Sequence, residues 1–254
     1  MGTTPQGART EQEAAAWVRG MFSRIAGRYD LLNHLLSFNL DRYWRRRAVE
    51  SVCRIKPDRQ ARMLDLCCGT GDVLIALEQR RGAPSLGVDF AHPMLTAAAR
   101  KIAERGFASP LIEADGLLLP LRDDAVDAIT IAFGFRNFAN YRRGLGEMLR
   151  VLKPDGIAAI LEFSQPRNRA FNAVYGWFSK FVLPRVGGLI SGSRQAYAYL
   201  PESISKFPGA DELAAEMLAA GFSRVEYSRM TFGAVALHIG WKSGPGLLAA
   251  GRLS

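Results

Sequence analysis

Between residues 64 and 72 the chain reads L-D-L-C-C-G-T-G-D, an apolar run that ends in a carboxylate, two thiols and a pair of glycines. Gly69 and Gly71 permit close backbone approach to a ligand and φ values that other residues resist. Asp65, four residues before Gly69, adds a negative charge that suits a cationic ligand better than a pyrophosphate. The spacing matches neither the G-x-G-x-x-G dinucleotide fingerprint nor the G-x-x-x-x-G-K-[ST] phosphate cradle. Two further acids close later apolar runs, Asp89 after S-L-G-V and Asp115 after P-L-I-E-A. Asp89 is placed to accept hydrogen bonds from both hydroxyls of a ribose, and Asp115, followed by Gly116, to put a polar group near an adenine edge. A fourth run, 126–133, delivers F-G-F-R-N, so Arg136 and Asn137 emerge where a buried strand should end. A buried guanidinium is costly unless it is paired or aimed at an anion. On the pentapeptide alone, the ordinary reading is a strand end reaching solvent.

The elements that must position these residues show in the hydrophobic pattern. Five apolar runs, 61–66, 85–90, 110–115, 126–133 and 156–163, read as strands, separated by helical patterns at 73–80, 93–104 and 141–152. The alternation predicts a parallel sheet covered by helices on both faces, with ligands beyond the carboxyl ends of the strands at the switch in strand order. Pro154-Asp155-Gly156 predicts a turn before the fifth strand. From 11 to 55 the pattern is helical, with Trp17, Met21, Phe22, Ile25 and Tyr29 recurring at spacings of three and four. A helix over 210–220 ends at Gly221, and 223–232 and 234–242, separated by Gly233, read as an antiparallel pair. The segment 1–10 reads as a disordered tail and the residues from 244 onward as a loose one. One domain over 11–243 is expected, with N-terminal helices at 11–56 and an aromatic-rich insertion at 165–207 serving as a cap.

The composition, 48% hydrophobic and 22% charged over 254 residues, is that of a soluble globular protein with a real core. A formal charge of +9 favours anionic partners: nucleic acid, an acidic membrane surface or phosphorylated substrates. Cys53, Cys67 and Cys68, with His34, His92 and His238, offer neither a disulfide framework nor a zinc spacing, which points to reduced thiols in the cytoplasm and no metal. The N-terminus lacks the apolar core of a signal peptide. The stretch 170–190 is interrupted by Lys180, Pro184 and Arg185, so it reads as an interfacial helix or a lid rather than a membrane span.

Three acids at three strand ends, the first beside G-T-G, resemble the class I S-adenosylmethionine-dependent methyltransferases over about 60–165. Cys67 departs from that pattern, since glycine is common there. Two longer stretches narrow the resemblance. Y-D-L-L-N-H-L-L-S, 29–37, resembles the Y-D-x-x-N-x-x-x-S signature of the ubiquinone/menaquinone biosynthesis C-methyltransferases of the UbiE/MenG type, above all their demethylmenaquinone branch. I-T-I-A-F-G-F-R-N-F, 129–138, with G-E-M-L-R-V-L-K-P-D-G after it, resembles their second signature. Similarity then runs from about 21 to 242. The resemblance implies an α/β Rossmann-like fold with a mostly parallel seven-stranded sheet. It also implies S-adenosyl-L-methionine as cofactor, with S-adenosyl-L-homocysteine as product and no metal. Asp65, Gly69, Thr70, Gly71, Asp89, Asp115, Gly116 and Ala132 are the implied cofactor residues.

The substrate implied is a polyprenylated quinol methylated on a ring carbon. An arginine in a dry pocket would stabilise the phenolate that makes that carbon nucleophilic. Arg136 is the candidate for this role, acting in catalysis rather than in the fold, with Asn137 orienting the ring hydroxyl. Tyr29 is the third candidate catalytic residue, in an N-terminal segment that closes over the methionine end of the cofactor. Asp30 and Asn33 are alternatively helix caps, and His34 is a candidate base set against the commoner structural role of a lone histidine. Phe171, Tyr175, Trp177, Phe178, Phe181 and Tyr199 suit an isoprenoid tail. Arg167, Arg169, Lys180, Arg185 and Arg194 add charge for peripheral contact with an anionic membrane at the inner face of the cell membrane. No nucleic-acid partner is expected, and a homodimer is compatible with the sequence. The rival readings are an RNA or other small-molecule methyltransferase, a non-catalytic cofactor-binding domain and a nicotinamide oxidoreductase.

Overall fold

Alternate residues of the central strands face two different cores, which is why those strands read as continuous apolar runs. In β1 (Met63–Leu66) and β4 (Val126–Ala132), Leu64, Leu66, Ile129 and Ile131 pack into one core while Met63 and Ala128 pack into the other. The computed structural model describes residues 2, 3, 5, 7–166 and 194–244. Its sheet continues through β2 (Leu86–Asp89), β3 (Leu111–Glu113), β5 (Leu152–Phe163), β6 (Arg224–Met230) and β7 (Val235–Trp241), in the order β3-β2-β1-β4-β5-β7-β6. The first five strands are parallel, and β7 runs antiparallel between β5 and β6. This is the expected α/β class with a mostly parallel seven-stranded sheet. The chain leaves β1 for β2 on one side and later fills the other side with β4, so the switch in strand order lies between β1 and β4.

On the first face lie α6 (Tyr141–Val151) and α8 (Ala210–Ala220), contributing Leu145, Met148, Leu213 and Met217. On the second lie α3 (Leu40–Ile55) and α4 (Asp72–Arg81), through Trp44, Val49, Val52 and Leu77. Helix α5 (His92–Glu104) packs Ala98 and Ile102 on the outer side of α4. The N-terminal helical region is three helices: α1 (Glu11–Ile25), a 3-10 turn at Ala26–Arg28, α2 (Tyr29–Leu36), and then α3. Phe38 and Asn39 take positive φ between α2 and α3, a corner that a smooth helical period cannot announce.

Four other details differ from the expectation. The third strand stops at Glu113, which leaves Asp115 in a turn where its Oδ1 accepts the Leu117 N–H at 2.9 Å. Pro154-Asp155-Gly156 does not precede β5 but is absorbed into it: pairing with β4 jumps from Leu152 to Ile157, and Asp155 takes positive φ. The link from β6 to β7 is a 3-10 turn, Thr231–Gly233, rather than one glycine. In the segment read as a disordered tail, Thr3 is buried, and its N–H bonds the Phe138 carbonyl at 2.8 Å. Of the expected cap, α7 (Arg194–Lys206) is a helix, while 167–193 and the end of the chain from 245 lie outside the described residues.

Candidate active site

Strands β1 and β4 both end in a non-glycine residue with positive φ, Cys67 at 55° and Phe133 at 60°. Such backbone costs on the order of 1–3 kcal/mol per residue and persists only where its surroundings impose it. Here the two turns face each other across the switch point. The loop after β1 places Cys67 where glycine would be easier, and Gly134 supplies the missing room. A Cβ on Gly134 would come within 2.5 Å of the Cys67 Cβ. Gly69 and Gly71 follow at φ 54° and 85°, and Gly71 caps α4. Asp89 fixes the loop from β2, accepting the Gly69 N–H on one oxygen and the Ala91 N–H on the other, both at 2.9 Å.

These elements wall a cavity of about 700 Å³, counting its open mouth. Its rim carries Gly69, Asp89, Asp115, Gly116 and Ala132, and its apolar floor includes Leu66, Val88, Met94 and Phe138. The glycine at 116 is needed for fit, because a Cβ there would meet the Phe138 ring at 2.5 Å. Beside it a smaller hollow of about 320 Å³ exposes Asp65, Thr70 and Cys68 to the same loop. Asp65 is buried; Thr130 donates to its Oδ1 at 2.7 Å, while Oδ2 has no partner. Burial pushes its pKa up to about 7, with Thr130 and Arg45 pulling the other way. An orphaned carboxylate oxygen beside a glycine loop fits a cationic, nucleoside-bearing cofactor. The thiols of Cys67 and Cys68 are pushed well up by burial, so both remain protonated.

A second cavity, about 960 Å³, opens on the other side of the wall. It is lined by Met21, Ile25, Leu36, Trp44, Phe163 and Ile204, with Arg136 and Arg45 as its cations. Phe22, Tyr29 and Phe133 belong to both cavities and form the partition. Arg136 and Asn137 lie together on the 3-10 turn Phe135–Asn137, yet Arg136 lines the second cavity and Asn137 the first.

Arg136 does not reach solvent. Its Nη1 bonds Glu162 at 3.0 Å and the Phe133 carbonyl at 2.5 Å, and its backbone N–H also donates to Glu162. Burial, the largest single influence, lowers the guanidinium pKa, but the Glu162 carboxylate together with Tyr29 and Tyr199 outweighs it and the net shift is upward. Nε has no partner, so the group keeps a donor beyond the ion pair. Asn137 accepts from the Tyr199 hydroxyl at 3.1 Å, and Tyr199 in turn meets the Thr3 hydroxyl at 2.9 Å. That chain leaves the buried Asn137 Nδ2 unpaired. Burial raises the Tyr29 pKa, against Arg45 and Arg136, and keeps it a neutral phenol.

The N-terminal helices are tied to the cofactor loop by charge. Asp30 accepts from Thr70 at 2.5 Å and from Lys101 at 2.8 Å, and Lys101 also binds Asp72 at 2.5 Å. Arg45 continues the network from Asp72 to Asp41. His34 bonds Asp41 at 2.8 Å and lines neither cavity, which fits the structural reading of this residue.

The structure thus brings the expected site residues to the ends of β1, β2 and β4, to the loops beyond them and beyond β3, or to the helix above them. Two corrections apply. Arg136 has a protein counter-ion, so it bears on the fold as well as on any chemistry. Asp30 does not cap α2, whose N-terminus has no side-chain cap, but clamps Thr70. Sequence reasoning missed Glu162, whose signal was an acid inside the apolar run G-I-A-A-I-L-E-F, and it missed Thr3 and Lys101, for which no local signal exists.

The strand order and topology define the class I methyltransferase fold. Solved structures share this fold: a methyltransferase from Thermotoga maritima, described as S-adenosylmethionine-dependent, aligns with a TM-score of 0.63 at 16% identity over 88% of this chain and 99% of its own. Phosphoethanolamine N-methyltransferase 2 of Haemonchus contortus, solved with S-adenosyl-L-methionine, aligns at 0.58 and 13% identity over 77% of this chain and 52% of its own. The ubiE/COQ5 methyltransferase family model matches residues 8–242, and the chain belongs to that family, a group of S-adenosylmethionine-dependent enzymes. It is 53% identical to the demethylmenaquinone methyltransferase of Thermus thermophilus over 87% of this chain and 99% of that one. It is 45% identical to the ubiquinone/menaquinone biosynthesis C-methyltransferase UbiE of Geobacter sulfurreducens over 89% and 88%.

Two outcomes test this geometry. Gly134→Ala should collide with Cys67 and weaken S-adenosylmethionine binding by about 1–3 kcal/mol, and Cys67→Gly should restore most of that loss in the double variant. Calorimetry finding additive effects would refute the Cys67–Gly134 complementarity. The second outcome concerns Asp65. Its folded-state pKa of about 7 lies above the unfolded value, so its stabilising share is present at low pH and lost as pH rises through 7. A cationic ligand needs the ionised form, so cofactor affinity should fall as pH drops below 7, with proton release on binding near neutrality. Asp65→Asn should raise the ligand-free melting temperature at pH 8 while weakening binding and abolishing that proton release.

Proposed function

We propose that this enzyme transfers a methyl group from S-adenosyl-L-methionine to a ring carbon of a polyprenylated quinol, in the biosynthesis of menaquinone, ubiquinone or both. One observation carries the reading: consecutive residues, Arg136 and Asn137, serve two cavities divided only by Phe22, Tyr29 and Phe133. When bound, the cofactor supplies an electrophilic methyl group on a sulfonium. The first cavity, with Gly69, Asp89, Asp115 and Ala132, and the hollow beside it, with Asp65 and Thr70, hold it. The second, apolar and aromatic, holds the quinol ring.

A neutral phenol has a pKa near 10, and its ring carbon is a poor nucleophile until the proton leaves. Arg136 offers its unpaired Nε to the developing phenolate, while Glu162 holds the guanidinium plane still. Fixed donors in a dry cavity are worth more to a developing charge than water is, because they need no reorganisation. Asn137, held by Tyr199, keeps an unpaired amide N–H with which it orients the ring hydroxyl. Tyr29 stands in the partition as a neutral hydroxyl and excludes water from the transfer path. Aligning the acceptor carbon with the methyl group supplies the remaining advantage, up to roughly 7–11 kcal/mol. The relation to the Thermus protein favours a naphthoquinol ring. No described helix is long and apolar enough to cross a membrane. A lipid-tailed substrate and a charge of +9 support the reading of a cytoplasmic enzyme that works at the inner membrane face.

The test is single-turnover methylation of short-tailed demethylmenaquinol and its benzoquinol counterpart, followed by mass spectrometry. Methylation of neither would overturn the reading. Arg136→Ala alone is a poor probe, since it strands Glu162 as a buried unpaired charge at a cost of about 3–5 kcal/mol. The neutral pair Arg136→Gln/Glu162→Gln should fold and bind cofactor yet lose on the order of 10²-fold or more in rate. Arg136→Lys should recover only part, lacking the planar fork. Near wild-type turnover by the folded double variant would remove Arg136 from catalysis.

A further inference from the structure

We propose that the corner joining α2 and α3 is the surface by which this enzyme docks on an anionic lipid bilayer, so that lipid-tailed substrate reaches the second cavity beside it. The purpose of the contact rests on the quinol reading above; the contact itself does not. Helix α2 is apolar on two opposite faces. Tyr29, Asn33 and Leu36, spaced by four and three, line the second cavity. Leu31 and Leu35, also four apart, lie about 200° round the helix from Tyr29 and Asn33 at ~100° per residue. They are 61% and 48% exposed.

The outward stripe continues past the helix. Phe38, at the positive-φ corner, is 74% exposed, and Leu40 and Tyr43 at the start of α3 are 40% and 44% exposed. The other exposed large hydrophobics among the described residues, Leu118, Leu218 and Phe232, come from three separate elements. A soluble monomer rarely leaves so many apolar side chains together. What surrounds them selects the occupant. Arg24, Arg28, Arg42, Arg46 and Arg47 are exposed in the same stretch, a surplus over its acids: Asp30 and Asp41 are engaged inward, with Lys101 and Arg45, and Glu50 alone faces Arg46 at 3.9 Å and Arg47 at 3.3 Å. Exposed arginines beside exposed apolar side chains match phosphate headgroups over acyl chains, the charge pattern of an interfacial anchor.

Co-sedimentation of the full-length enzyme with phosphatidylcholine vesicles, with and without phosphatidylglycerol, tests the surface. The wild type should bind the anionic vesicles and be partly released by salt. Leu31→Gln/Leu35→Gln and, separately, Arg42→Gln/Arg46→Gln should each lower partition about tenfold or more. Both should leave the melting temperature, cofactor affinity and turnover of a short-tailed soluble quinol unchanged, while turnover of a long-tailed quinol in vesicles falls. A wild type that stays in the supernatant overturns the proposal. So does a leucine variant that folds and binds vesicles as the wild type does. If the leucine variant unfolds, undiminished binding by the arginine variant overturns it. If the leucine variant instead lowers the oligomeric state and keeps its vesicle affinity, the patch joins copies of the chain and the proposal fails. Failure to methylate either short-tailed quinol would sink the catalytic reading and leave the vesicle result standing.

Discussion

A guanidinium and a carboxylate, both nearly withdrawn from water, meet at 3.0 Å beyond β4, where the carboxylate comes from the end of β5. Neither charge is tolerable alone at that depth. Glu162 spreads its acceptors over the Arg136 side chain, the Arg136 N–H and the Phe163 N–H, which fastens the 3-10 turn to the last residues of β5. That fastening has a geometric result. A turn of three residues per revolution sends neighbouring side chains in divergent directions, and a fixed turn keeps them so. Arg136 and Asn137 therefore serve separate cavities with one short wall between them, which is the arrangement a group transfer needs.

How much of this was legible in the sequence depends on the range of each interaction. The strands and their ends are local and periodic, so Asp65 and Asp89 could be set at neighbouring strand ends from pattern, whereas Arg136 and Asn137 joined the site only through the resemblance carried by 129–138. The helix at 210–220 was fixed to the residue, because Gly221 at φ 118° is a stop that only glycine makes cheaply. What failed was everything that depends on a distant partner. Glu162 reads as an ordinary acid near a strand end until β5 is seen to lie against β4. Thr3 reads as tail composition until Tyr199, 196 residues away, is seen to receive it. The four residues absorbed at 153–156 also defeat local reading, because Pro-Asp-Gly makes a turn or a bulge equally well and only the strand partner decides.

The glycine pattern carries a related lesson. Cys67 stands where glycine is commoner, and the sequence alone shows a departure without a consequence. The structure shows that the strain at Cys67 is matched by a glycine at 134, on the neighbouring strand's turn. Side-chain volume has been moved across the switch point rather than added to it. The two turns that bound the cavities are therefore one packing problem with two backbone solutions, and a motif read one loop at a time cannot reveal that.

Helix α2 brings these separate constraints onto eight residues. Its first turn holds Asp30 on Thr70, and so on the cofactor loop. Its inward stripe, Tyr29, Asn33 and Leu36, forms a wall of the second cavity, and Tyr29 is also in the partition. Its outward stripe supplies Leu31 and Leu35. A helix this short is marginal on its own, so its position is set by what it touches. The Asp30–Lys101–Asp72 ion pairs anchor it to α4 and α5, and its His34 bonds Asp41 of α3, which Arg45 ties in turn to Asp72 of α4, through partly buried charges that salt screens only weakly. Any shift of α2 away from the loop must therefore break Asp30 from Thr70 and move Tyr29 out of the partition in the same motion.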